Sequence, residues 1–73
     1  MSSLRDRDRV VRFEDAVRRY VSTFPAASRA KNPSQLIDVI VSRRQYDQPS
    51  KTYRELLYEL LSEDPELARL YNA

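Results

Sequence analysis

Residues 52–61 read TYRELLYELL, and this stretch decides the fold. Tyr53, Leu56, Leu57, Leu60 and Leu61 recur at helical spacing, so they line one face of a helix. Thr52 and Glu55 fit a capping box. The Thr52 hydroxyl can accept from the amide three residues on, and the Glu55 carboxylate can reach back to the Thr52 amide. Arg54, Tyr58 and Glu59 fall away from the apolar face. A stripe of this width needs other stripes to bury it.

Two more are present on the N-terminal side. Asn32-Pro33 reads as a helix start, since Asn is a favoured N-cap and Pro suits the first helical position. Leu36, Ile37, Ile40 and Val41 then form an apolar face, widened by Val39. The β-branched run Val39-Ile40-Val41 competes for a strand. Arg43 and Arg44, cations near the negative end of the helix dipole, favour a helix that ends there. Tyr46 to Ser50, YDQPS, reads as a loop. Further upstream, Val10, Phe13, Val17, Tyr20 and Phe24 keep helical spacing, with Ala16 and Val21 at the edges, which predicts a helix over about residues 9–23. Pro25 stops it. The alternative for residues 9–13, RVVRF, is a short strand.

Residues 26–31, AASRAK, form a connector with weak helical character. On the C-terminal side, SEDPE offers Asp64 as a cap and Pro65 as an opener, with Leu67, Leu70 and Tyr71 apolar in a short last helix. Residues 1–8 read as a flexible N-terminal segment, because RDRDR alternates sign at adjacent positions; the alternative is an outward extension of the first helix, since Asp8 and Arg12 sit four apart. The expected fold is therefore all-α: a small bundle of three main helices plus a short C-terminal fourth, in a single helical domain over 9–73. The expected core is Val10, Phe13, Val17, Tyr20, Phe24, Leu36, Ile37, Ile40, Leu56, Leu57, Leu60, Leu61 and Leu67.

Composition narrows the chemistry. The chain of 73 residues has no His, Cys or Gly. The commonest general base and the thiol nucleophile are missing, and so are the glycines of a P-loop or a dinucleotide fingerprint. Glu55, Glu59 and Glu63 lie four apart, but without His they read as a solvated acidic face rather than a metal site. No catalytic, cofactor-binding or metal-binding residue is assigned, and no enzyme activity is expected. No apolar run reaches the roughly 18 residues of a membrane span. The charged start MSSLRDRDR is unlike a signal peptide, and the expected location is cytoplasmic.

The net charge of +2 is unevenly spread. Arg18, Arg19, Arg29, Lys31, Arg43, Arg44 and Lys51 outweigh Asp38 and Asp47 over residues 16–51, while residues 52–73 are net acidic. Such a split bears on partners rather than on the fold. The leading expectation is a small non-catalytic regulatory module that binds another protein, such as an adaptor or inhibitor acting on the transcription machinery. Arg18, Arg19, Arg43, Arg44 and Tyr58 would make the contact, since Arg and Tyr are enriched at interface hot spots. The alternative is nucleic-acid binding through the basic middle, with a helix-turn-helix-like arrangement over residues 36–61. There Arg29, Lys31, Lys51, Thr52 and Arg54 would face the nucleic acid. A structural homodimer is the third reading. Finally, Leu57-Tyr58-Glu59-Leu60-Leu61 spells LxxLL and so resembles the short helical motif by which transcriptional coactivators dock into receptor grooves. In so small a chain these leucines are needed for its own core, and no function is carried over from the resemblance.

Overall fold

The computed structural model describes residues 3–72, which form four α-helices and one 3₁₀ helix, with no strand among them. In chain order these are α1 (Ser3–Val21), the 3₁₀ helix (Pro25–Arg29), α2 (Pro33–Asp47), α3 (Tyr53–Glu63) and α4 (Pro65–Asn72). The all-α bundle expected from the sequence is what forms. No helix among the described residues is long and apolar enough to cross a membrane.

Local chemistry accounts for most of the boundaries. The Asn32 side chain accepts from the Gln35 amide at 2.9 Å, which starts α2 with Pro33 in its first turn. The Thr52 hydroxyl accepts from the Glu55 amide at 3.2 Å, and the Glu55 carboxylate accepts from the Thr52 amide at 3.4 Å. Both halves of the capping box are therefore made. At the end of α1, the Phe24 amide donates to the Tyr20 carbonyl at 2.7 Å before Pro25 opens the 3₁₀ helix.

Several expectations need correcting. Helix α1 begins at Ser3 rather than near Arg9, so residues 3–8 are helical. The expected flexible segment also includes residues 1–2, which lie outside the described residues. The strand alternative at 9–13 fails, because RVVRF lies inside α1. Residues 39–41 are likewise helical. Ile40 and Val41 are fully buried on α2, and burial overrides their β preference. Helix α2 continues one turn past Arg44 to Asp47, so Tyr46 is helical rather than part of a loop.

The short fourth helix is the centre of the packing. It touches α1, α2 and α3, whereas α2 packs mainly on α3 and α1 mainly on the 3₁₀ helix and α4. Leu67 and Leu70 from α4 join Leu36, Ile37, Ile40, Val41, Leu56 and Leu60 in the buried core, together with Ala16 and Ala27. Phe13, Val17, Tyr20, Phe24, Leu57 and Leu61 pack around it, partly buried. The leucines of the LxxLL string are thus used internally.

Val10 was expected in the core and is not; it is 54% exposed. The reason is length. Nineteen residues make α1 about 28 Å long, while the eight of α4 reach only about 12 Å. The apolar stripe of α1 runs past the end of what it packs against, and residues 7–12 are all exposed. The molecule measures 45 × 22 × 16 Å. Its 12.7 Å radius of gyration exceeds the roughly 11 Å expected for a globule of this length.

Candidate functional site

Two polar features stand out against the apolar core. The first is Asp64, the one buried charged residue among those described, at 7% exposure. Its position follows from the chain: it closes α3, with its amide donating to the Leu60 carbonyl at 3.0 Å, and it opens α4. Oδ1 accepts from the Leu67 amide at 3.1 Å, the N-cap bond of α4. Oδ2 accepts from the Tyr20 hydroxyl at 2.5 Å and from the Arg19 guanidinium at 2.9 Å. One carboxylate therefore joins α1, α3 and α4. Burial pushes its proton affinity up, but the bonds from Tyr20, Leu67 and Arg19 outweigh this and hold the carboxyl below its ordinary value. The Tyr20 hydroxyl is pushed up to about 12, by burial first and by its bond to the Asp64 anion second. Tyr53 on α3 behaves alike: burial and its bond to Asp38, 2.9 Å long, push it up to about 12. Around Asp64 these groups satisfy one another, and the arrangement is a structural clasp.

The second feature is the outward face of α2. Because Leu36, Ile37, Ile40 and Val41 turn inward, Val39, Arg43 and Tyr46 share the other side. Tyr46 is 80% exposed, the most exposed large apolar side chain described, and the Arg43 guanidinium lies 5.7 Å from its ring centroid. Beside this face the 3₁₀ helix leaves a groove. One part, ≈ 390 Å³, is lined by Arg29, Ala30, Ser34, Gln35, Asp38 and Val39. The other, ≈ 130 Å³, is lined by Thr23, Phe24, Pro25, Ala26, Val39 and Arg43. Val39 lines both parts, so the two lie side by side along α2.

The charge split seen in the sequence is partly folded onto itself. Arg19 meets Asp64 at 2.9 Å, Arg44 meets Glu63 at 2.9 Å and Lys51 meets Glu59 at 2.8 Å. In each, a cation of the basic middle meets an acid of the C-terminal part. Arg18 pairs with Asp15 at 3.5 Å and Arg43 with Asp47 at 3.6 Å. Of the seven cations between residues 16 and 51, only Arg29 and Lys31 have no carboxylate within 4 Å among the described residues.

The residues singled out from the sequence therefore separate. Arg19 and Arg44 reach across helix junctions and serve the fold. Arg18, Arg43 and Tyr58 are exposed, on α1, α2 and α3 respectively. Lys51 is raised in pKa by its bond to Glu59, and Thr52 is engaged in the capping box. Arg29, Lys31 and Arg54 are exposed. Tyr46 and the groove were missed. The helical spacing of Val39, Arg43 and Tyr46 carried the signal, but ending α2 at Arg44 put Tyr46 in a loop. No cluster of three or more acidic residues suited to a metal occurs among the described residues. Comparison with protein-family models, with curated proteins and with solved structures finds no match to this chain.

Proposed function

We propose that this chain is a non-catalytic module that binds another protein, with a regulatory role such as that of an adaptor or inhibitor of a larger assembly; the transcription machinery is one such assembly. The observation that carries the reading is the α2 face. An exposed tyrosine stacked under an arginine borders an apolar groove, and these are the residue types that dominate binding energy at protein interfaces. Tyr58, 62% exposed on α3, offers a second anchor of the same kind.

Nucleic-acid binding draws less support. Phosphate contact needs cations free to displace counterions, and Arg19, Arg44 and Lys51 are already held by carboxylates at 2.8–2.9 Å. In a helix-turn-helix docking, Lys51 and Thr52 would have to leave Glu59 and Glu55. The test is affinity capture from a lysate of the source organism, with Arg43→Ala and Tyr46→Ala variants alongside. One identified protein retained by the parent and lost by both variants is the expected result. Retention of nothing above background, or micromolar oligonucleotide binding that collapses with salt, would refute the reading.

A further inference from the structure

We infer that the groove between the 3₁₀ helix and α2 takes an acidic amphipathic segment of the partner, with one apolar side chain seated on Val39 and a carboxylate on either side meeting Arg29 and Arg43. This rests on the protein-binding reading and specifies its chemistry.

The argument is one of shape and charge together. Both parts have apolar lining: Val39 is common to the two, Ala30 adds carbon to the first and Pro25 to the second. A phosphodiester backbone gains little from such a floor, whereas an aliphatic or aromatic side chain gains from leaving water. The ends are cationic. Arg29 has no carboxylate within 4 Å among the described residues, and Arg43 holds Asp47 only at 3.6 Å, both partners being well exposed. The single carboxylate in the lining, Asp38, accepts from the Tyr53 hydroxyl of α3 at 2.9 Å. Arg29 and Arg43 outnumber Asp38 in the lining, and carboxylates are the groups an arginine fork grips best.

The spacing can be read from α2. Arg29 lines the same part of the groove as Ser34, Gln35 and Asp38, which precede Arg43 by five to nine residues, roughly 8 to 14 Å along the helix axis at 1.5 Å per residue. A helical partner meets that spacing with acids at i and i+7 and an apolar residue at i+3 or i+4. An extended one meets it with acids at i and i+4 and the apolar residue at i+2. Either way the segment reads acid, apolar, acid. Tyr46 lies one turn beyond Arg43 and lengthens the contact at that end.

The test pans a random twelve-residue peptide library, displayed on phage, against the full chain. Selected peptides are expected to carry an apolar residue between two acids. Their synthetic versions should lose about tenfold or more in affinity on Arg29→Glu plus Arg43→Glu, because both attractions become repulsions. Peptides with Lys in place of the acids should recover binding to that double variant and not to the parent. Both arginines are exposed, and unchanged circular dichroism checks the fold. Peptides without acids, peptides indifferent to the double variant, or no selected peptide at all would overturn the inference. So would sedimentation showing that the groove is filled by a second copy of the chain. Failure here leaves the protein-binding reading standing when the captured partner is retained equally by the double variant; both fall when nothing is captured.

Discussion

Asp64 offers the sharpest test of how this small bundle is held. Replacing it by Ala removes the cap of α4, a loss of about 1 kcal/mol. It also removes the acceptor of the Tyr20 hydroxyl, a charge-assisted bond that contributes about 1.5 to 3 kcal/mol. The Arg19 contact adds less than about 1 kcal/mol, because that side chain is half exposed. These parts share one carboxylate and overlap, so the expected cost is about 2 to 4 kcal/mol rather than their full sum. For a chain of this size each kcal/mol lowers Tm by roughly 4 to 8 °C. Asp64→Asn keeps the cap, since Asn caps as well as Asp, and loses only the charge; its cost should be about 1 to 2 kcal/mol. The pH dependence has a definite sign. The folded carboxyl lies below its ordinary 3.8, so the unfolded chain takes up the proton first. The stabilisation is full above that value and is lost as pH falls through the lower, folded one. Thermal melts of the parent and both variants, at neutral pH and down an acid series, read all of this. Equal Tm values for parent and Asp64→Ala at neutral pH would refute the clasp. An acid profile no steeper in the parent than in Asp64→Asn would refute its ionic character.

Other outcomes follow from burial and capping. Leu60→Ala, at a fully buried position, should cost about 2 to 5 kcal/mol by denaturant titration, and Leu57→Ala, at a half-buried one, distinctly less. Val10→Ala should stay within about 0.5 kcal/mol of the parent, because the side chain already faces water. Thr52→Ala should cost about 1 kcal/mol through loss of the α3 cap, read by the same titration. In alkali, Tyr20 and Tyr53 titrate near 12 when folded but near 10 when unfolded, so the unfolded chain ionises first. The stability present below pH 10 should fall as pH climbs towards 12, with tyrosinate absorbance rising in step with loss of helix.

Periodicity and caps made the helices legible. Asn32-Pro33 and the Thr52-Glu55 box act through bonds three residues long, so local sequence contains the whole of the interaction. The importance of α4 was not legible, since a short helix with two leucines looks minor until three neighbours are seen to meet on it. Val10 misled for the same reason: a stripe states which side of a helix is apolar, not where the neighbouring helix stops. Asp64 could be read as a cap, but its bonds to Arg19 and Tyr20 span more than forty residues of chain and leave no local pattern. The charge split invited a basic patch. Packing α1 and α2 onto the C-terminal helices pairs Arg19 with Asp64 and Arg44 with Glu63, and a linear tally of charge has no means of anticipating that. The candidate groove depends on where the 3₁₀ helix lies beside α2, which spacing alone does not reveal.

The overhang of α1 has a practical corollary. Every side chain among residues 7–12 is exposed, Val10 and Val11 by about half, so the bundle draws little of its hydrophobic stabilisation from that turn and a half of helix. A dye or a surface tether attached within residues 7–11 should therefore disturb neither the α2 face nor the joint at Asp64.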